Sequence, residues 1–181
     1  MIDALSVLDK PIYSIMTVLD KNHDVYHVTS GNIHKAFYAA IEKAEEVFVA
    51  RITKKADIVV TVAKNPMDVD LYQAQKAIDN AKLALKPGGT MILVAACREG
   101  LGEQAFIDLL TSSSSPSEVL DRIKGTYKLG YHKAGKMAEL FQWANVFAFT
   151  ELEDDLLRRI FIQPSHSLQN TIDNAVEAIG K

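Results

Sequence analysis

The sequence predicts an α/β fold: a three-layer αβα domain with a mainly parallel sheet, preceded by an N-terminal β-hairpin and a long helix. Three observations predict it. Residues 57–63 carry Ile58, Val59, Val60 and Val62, the near-continuous apolar run of a parallel strand covered on both faces. Beyond them, short apolar runs alternate with amphipathic stretches, and parallel neighbours need such crossovers, which place helices over the sheet. Ahead of them, two short strand-like runs flank a polar turn and lead into a segment of helical period.

The hairpin is predicted from residues 12–19, the turn Asp20-Lys21-Asn22-His23-Asp24 and residues 25–29. A helix follows from Gly31 or Asn32 to about Val49, with Ile33, Phe37, Ala40, Ile41, Ala44 and Val47 on its apolar face. Its Lys- and Glu-rich side reads as solvated. Its other side must rest on a further domain or a neighbouring copy, so self-association stays open. The charged connection 51–56 is the expected boundary between an appendage, or the end of an N-terminal domain, at 1–55 and a C-terminal αβα domain at 56–181.

In the main domain a helix is expected from about Asp70 to Lys86. It ends at Lys86-Pro87-Gly88-Gly89, a helix stop and turn, before a buried strand at 90–96. Gly100-Leu101-Gly102 leads to a short helix at 103–111, and a serine-rich loop to a helix at 117–124 capped by Ser117. A helix at 132–143, a strand at 145–150, an acidic helix at 152–157 and a strand at 159–163 follow. The last helix opens near Ser165 to Ser167 and runs to Ile179, with Leu168, Ile172, Ala175, Val176 and Ile179 inward.

Composition narrows the function classes. With 181 residues, 48% hydrophobic and 24% charged, the chain is long enough for one substantial core and too apolar for a disordered protein. No apolar run approaches the ~20 residues that span a bilayer, and the N-terminus lacks a signal-peptide pattern. A cytoplasmic location and no membrane partner are expected. The net charge of −3, with basic residues scattered along the chain, offers no nucleic-acid footprint. Cys97 is the lone cysteine and the five histidines lack metal-ligand spacing, so no metal site is expected from this chain. Cys97 reads as a small packing residue.

The chemistry concentrates in 65–76, where a buried strand turns into a helix, the usual place for a site in α/β proteins. Around that helix Leu71, Ile78 and Leu85 share one stripe, while Tyr72, Gln73 and Lys76 project in a separate wedge. Lys76 lies early in the helix, where the dipole disfavours a cation unless a negative group is near. That group is either an anionic ligand or one of Asp68, Asp70 and Asp79.

Gly100, Gly102 and Ala105 match the spacing G-x-G-x-x-A, which lets backbone amides approach a phosphate at a helix start. That fingerprint belongs to the first strand-to-helix turn and this is a later one. A plain turn, a dinucleotide loop, or a loop near a ligand phosphate or carboxylate through Glu99, Gly100 and Gly102 are the open readings. Residues 85–90 also resemble a stretch found in Rossmann-like methyltransferases, but no methyl-donor loop precedes them. His132 and Lys133, at a helix start, either face the same crevice as Lys76 or belong to a surface turn. Trp143 and Phe141 read as core, and His34 as exposed or capping. Ser165-His166-Ser167 lacks the G-x-S-x-G elbow of a hydrolase.

Pro66-Met67-Asp68, then Leu71-Tyr72-Gln73-Ala74-Gln75-Lys76-Ala77, Leu85-Lys86-Pro87-Gly88-Gly89-Thr90, Glu99-Gly100-Leu101-Gly102 and His132-Lys133-Ala134 together resemble the C-terminal domain of the nickel-pincer lactate racemase family. The resemblance spans about 56 to 181, with 1–55 similar to the end of that family's N-terminal domain. It implies a racemase or epimerase of 2-hydroxy acids that passes a hydride to and from a nickel-pincer nucleotide. Tyr72, Gln73 and Lys76 would then line a cleft between domains and hold the cofactor or the substrate carboxylate. The catalytic histidines, the cofactor-bonded lysine and the nickel ligand of the family lie in an N-terminal domain missing here.

Racemisation needs proton acceptors on both faces of the substrate carbon. The chain alone is therefore expected to be inactive, with no catalytic residue of its own and no cofactor bound. Tyr131-His132 stand where the lactate enzyme is expected to carry a tryptophan, which points to another 2-hydroxy acid or a sugar acid. The competing class is a non-catalytic α/β module that binds a nucleotide or an organic acid.

Overall fold

The computed structural model describes residues 5, 7, 8 and 10–180. They divide into two compact units, Met1–Ile52 and Thr53–Lys181. In the first, β1 (Tyr13–Leu19) and β2 (Val25–Asn32) form an antiparallel two-stranded sheet with Tyr13 opposite Asn32. Asp20 closes the turn, its carboxylate accepting from the amides of Asn22 at 2.7 Å and Asp24 at 3.0 Å, which lets His23 adopt a positive φ. Asn32 then caps α1 (Ile33–Phe48), accepting from the amides of His34 and Lys35. His34 itself is exposed. Val18 and Ala36 are buried, whereas Tyr13 and Ile15 are 72% and 71% exposed.

The second unit is built on a parallel sheet of four strands in the order β3 (Ala56–Val62), β4 (Leu85–Val94), β5 (Asn145–Phe149) and β6 (Gln163–Pro164). Its helices are α2 (Leu71–Ala81), α3 (Gln104–Thr111), α4 (Pro116–Gly125), α5 (Tyr131–Phe141), α6 (Asp154–Arg159) and α7 (Leu168–Ile179). The core lies between one face of the sheet, with Met91, Leu93, Val146 and Ala148, and the apolar sides of α2, α3 and α5, including Leu71, Ile78, Phe106, Leu109 and Met137. Alternate strand positions on the opposite face, Thr90, Asn145 and Phe147, look toward α7. The three-layer α/β class is therefore the observed one.

The sequence expects both faces of β3 to be covered, yet Val60 is 39% and Val62 54% exposed. The strand order supplies the reason. When each parallel strand is added beside the last in one direction, right-handed crossovers all fall on one face, and the other is left to α7.

Four elements differ from the sequence reading. The helix expected to reach Lys86 stops at Ala81 and tightens into a 3₁₀ turn at Lys82–Ala84. Lys86-Pro87-Gly88-Gly89 does not precede β4 but bulges within it. Leu85 pairs with Ala56, and pairing resumes with Thr90 opposite Ile58. A side chain at Gly89 would stand 2.7 Å from the Asp57 carbonyl oxygen, so glycine is what lets the bulge lie against β3. Ser115, not Ser117, caps α4, accepting from the Glu118 amide with Pro116 at the first helical position. The expected strand at 159–163 shrinks to Gln163–Pro164, because Ile160 and Ile162 serve the core from a turn in which Phe161 has φ +66°.

Candidate functional site

The junction after β3 is assembled mainly from backbone. Asn65–Pro66 is cis. Segment 68–72 lies against the loop that follows β4. The amides of Cys97 and Glu99 donate to the carbonyls of Asp68 at 2.7 Å and Val69 at 2.9 Å. In return the amides of Leu71 and Tyr72 donate to Gly100 at 3.0 Å and Leu101 at 3.1 Å. Asp70 completes the start of α2, its side chain accepting from the Gln73 amide at 2.7 Å and its carbonyl from Ala74 at 3.0 Å. Amides that would otherwise be orphaned at this helix start are satisfied inside the protein.

The Gly100 and Gly102 loop is thus a cap for α2. Gly102 has φ +95°, and a Cβ there would meet the Tyr72 Cβ at 2.7 Å and the Asp70 carboxyl at 2.9 Å. At the helix that follows, α3, the Glu103 carboxylate occupies the start, accepting from the Phe106 amide at 2.9 Å. Glu99 is exposed and bound through its backbone. Cys97, expected to pack, is 1% exposed, and burial first, then the charges of Asp70 and Asp68, pushes its thiol up to about 12.

On this support Leu71, Ala74, Gln75 and Ile78 face the core, while Tyr72, Gln73 and Lys76 form the outer wedge. The ring of Tyr72 packs edge-on against Phe106, with centroids 5.6 Å apart. Burial first, then the charge of Glu103, raises its phenol above the ordinary tyrosine value, with Tyr127 and Asp70 adding to the effect. Tyr72 therefore stays protonated at neutral pH. The Lys76 ammonium donates to the Gln73 amide oxygen at 2.8 Å. Among the described residues no carboxylate oxygen comes within ion-pair distance of it. Of its proposed acidic neighbours, Asp70 caps the helix and Asp79 is held by Lys82 at 2.6 Å and Lys136 at 2.5 Å.

Lys133, in the first turn of α5, joins this wedge from the side. It is 8% exposed. Its ammonium donates to the Tyr72 carbonyl at 2.5 Å and stands 3.5 Å from the centroid of the Tyr72 ring, a cation over a π face. Burial first, then the nearby Lys76 charge, pushes it below the ordinary lysine value, partly opposed by Asp70 and Asp79. His132 is exposed and stacks on Tyr127, with its Nδ1 3.4 Å from the Tyr127 hydroxyl.

The structure thus brings Tyr72, Gln73, Lys76 and Lys133 together and sets His132 on the rim beside them. Sequence reasoning missed Glu103, Phe106 and Tyr127. Only the position of Tyr127, just ahead of Gly130-Tyr131-His132-Lys133, hinted at its place. Past the carboxyl ends of the strands lies a shallow cavity of about 310 Å³ lined by Asp68, Ala96, Phe149, Thr150 and Glu151. Arg98 bridges to Glu151 at 3.0 Å across these loops.

This is a parallel αβα domain with a cationic wedge at the carboxyl end of its sheet, the place where α/β proteins usually keep their sites. The chain belongs to the lactate racemase C-terminal domain family, whose model matches residues 51–181. A lactate racemase of Thermoanaerobacterium thermosaccharolyticum is 30% identical over 112 residues, covering 61% of this chain and 26% of that protein. One of Lactiplantibacillus plantarum is 27% identical over 169 residues, covering 93% of this chain and 40% of that protein.

The solved lactate racemase apoprotein from T. thermosaccharolyticum superposes with a TM-score of 0.86 at 24% identity, over 97% of this chain and 43% of that one. A Thermotoga maritima protein of known structure superposes with a TM-score of 0.62 at 12% identity, over 90% of this chain and 44% of that one. At these identities both show the fold alone. The chain spans less than half the length of each of these relatives.

Proposed function

We propose that this chain is the C-terminal part of a lactate racemase-like 2-hydroxy acid racemase or epimerase, an isomerase acting in the cytoplasm. In this reading it contributes Tyr72, Gln73 and Lys76 to a cleft completed by an N-terminal domain. The observation that carries the reading is the state of Lys76: an exposed ammonium early in α2 whose side-chain partner is a neutral amide. Its neighbour Lys133 is buried and, among the described residues, likewise has no carboxylate within ion-pair distance. An exposed ammonium with a second cation behind it forms a receptor for a carboxylate or another anionic group. Gln73 orients the ammonium, and the protonated Tyr72 hydroxyl is available as a neutral donor beside it.

The fit to the family's nickel-pincer nucleotide is partial. The wedge suits an anionic portion of such a cofactor. The described residues contain no group of three His, Cys, Asp or Glu side chains that could hold a metal, so the metal ligands would come from the remainder of the longer protein. When bound, that cofactor supplies the hydride acceptor. The residues of this chain bind and orient, and proton transfer falls to the N-terminal domain. On this account the chain alone is inactive.

Residues 1–55 belong to the end of that N-terminal domain. The exposed Tyr13, Ile15, Val25 and Val28 on a sheet of only two strands support this, since such a sheet is marginal until its apolar face is covered. Tyr131 and His132, in place of the expected tryptophan, favour a 2-hydroxy acid other than lactate, or a sugar acid.

The test is to join the chain to an N-terminal racemase domain, load nickel cofactor and assay racemisation. Turnover should appear and Lys76→Ala should cut it by roughly a hundredfold, the ~3 kcal/mol lost with a charge-assisted contact. Unchanged kinetics in that variant would remove Lys76 from the site. Tight calorimetric binding of an organic acid or nucleotide by the chain alone would instead mark a self-sufficient binding module.

A further inference from the structure

We propose that Lys133 is the positioning residue of the wedge. Clamped between the carbonyl and the ring of Tyr72, it holds that residue in place and adds a second positive charge behind Lys76, without itself touching the ligand. The inference rests on the reading of Lys76 as the anion-binding group and assigns Lys133 a different part from direct ligand contact.

The contrast with its neighbours on the same helix pair is informative. Asp79 of α2 takes both Lys82 and Lys136, so the protein neutralises two of the lysines at this helix contact. Lys133, one turn before Lys136 and far more buried, is left with a carbonyl and an aromatic face. Taking an ammonium out of water without a counter-ion costs several kcal/mol before compensation. An apolar side chain of similar length would fill the position at lower cost. What Lys133 adds beyond packing is two contacts to one residue, Tyr72.

Tyr72 is otherwise restrained by its amide bond to Leu101, by the close approach of Gly102 and by the edge contact with Phe106. None of these covers the face of its ring, and its carbonyl is otherwise engaged only in the α2 ladder. At 8% exposure the residue lies largely beneath the surface that Lys76 occupies, and its ammonium is turned to Tyr72, so its influence on a ligand runs through the tyrosine and through charge.

The experiment uses the 181-residue chain with Lys133→Met, which keeps the packing, and Lys133→Arg, which keeps the charge. Thermal melting, the NMR signals of the Tyr72 carbonyl and ring, and a sodium L-lactate titration followed at Lys76 and Gln73 are the readouts. Lys133→Met should melt no lower than wild type, shift both Tyr72 signals and weaken the lactate response about tenfold, equivalent to ~1.4 kcal/mol. Lys133→Arg should return both toward wild type.

A folded Lys133→Met with unmoved Tyr72 signals and unchanged lactate response overturns the proposal. If Lys133→Met does not fold, Lys133→Arg decides, and displaced Tyr72 signals in that variant count against it. Lys76→Ala separates the two readings. If it leaves the lactate response intact, the anion-binding role of Lys76 fails, and the ligand-free Tyr72 signals still judge Lys133.

Discussion

Replacing Gly102 by alanine should destabilise the domain by about 3 to 4 kcal/mol, and the figure can be built from the geometry. Gly102 has φ +95°, where an L side chain is strained by about 1–2 kcal/mol. The added methyl would also stand 2.7 Å from the Tyr72 Cβ and 2.9 Å from the Asp70 carboxyl carbon and one of its oxygens, neither of which is the free end of a flexible chain. To relieve the contact the loop must withdraw from α2. That stretches the amide bonds from Leu71 to Gly100 and from Tyr72 to Leu101, each worth about 1 kcal/mol.

Gly100→Ala is the internal control. Its φ of +83° carries the same class of backbone cost, but a Cβ there meets nothing within 4 Å, so about 1–2 kcal/mol is expected. Urea unfolding of the two variants, followed by far-ultraviolet circular dichroism, measures the difference, which should be about 2 kcal/mol. Equal losses in both would show that the close approach of Gly102 to Tyr72 and Asp70 is not what its glycine serves. Gly102→Ala should also move the Tyr72 ring signals, and Gly100→Ala should not.

Two further outcomes follow from the same contacts. With its thiol pushed up to about 12 and 1% exposure, Cys97 should resist a thiol-specific reagent at pH 8 in the native chain and react promptly in denaturant; fast native labelling would place it at the surface. Burial works against the Asp79 carboxylate, but its bonds to Lys136 and Lys82 outweigh that and hold it below the usual value. A depressed carboxylate contributes stability above its unfolded pKa of about 3.9 and loses it as pH falls through the folded value. Asp79→Asn should therefore cost about 1 kcal/mol at pH 7, discounted because Lys136 is half exposed. The gap should close in acid, and a gap that persists unchanged at pH 2 would exclude the ion pairs as its source.

What the sequence made legible here is whatever depends on local period. The apolar run of β3 and the start of α2 near Asp70 are written in adjacent residues, and the separation of Tyr72, Gln73 and Lys76 from Leu71 and Ile78 follows from the 3.6-residue repeat. Illegible were the features decided by residues far along the chain. Lys86-Pro87-Gly88-Gly89 has the composition of a turn, and only its pairing around Asp57, with the Gly88 amide donating to the Trp143 carbonyl at 2.7 Å, makes it a bulge inside a strand. Ile160 and Ile162 have the composition of a strand, yet their burial is reached from a turn.

Lys133 falls in the same class. Nothing near it in sequence distinguishes a solvated lysine from a buried one, because the groups that hold it belong to Tyr72, sixty-one positions earlier. Lys76 remains legible for the opposite reason: its exposure follows from its own helix, and the lack of a carboxylate partner among the described residues is one of two alternatives the sequence can state. The wedge therefore combines a cation that local pattern exposes with one that tertiary contact conceals. Among the described residues neither meets a carboxylate within ion-pair distance, and it is the contacts to Tyr72 that hold the concealed one.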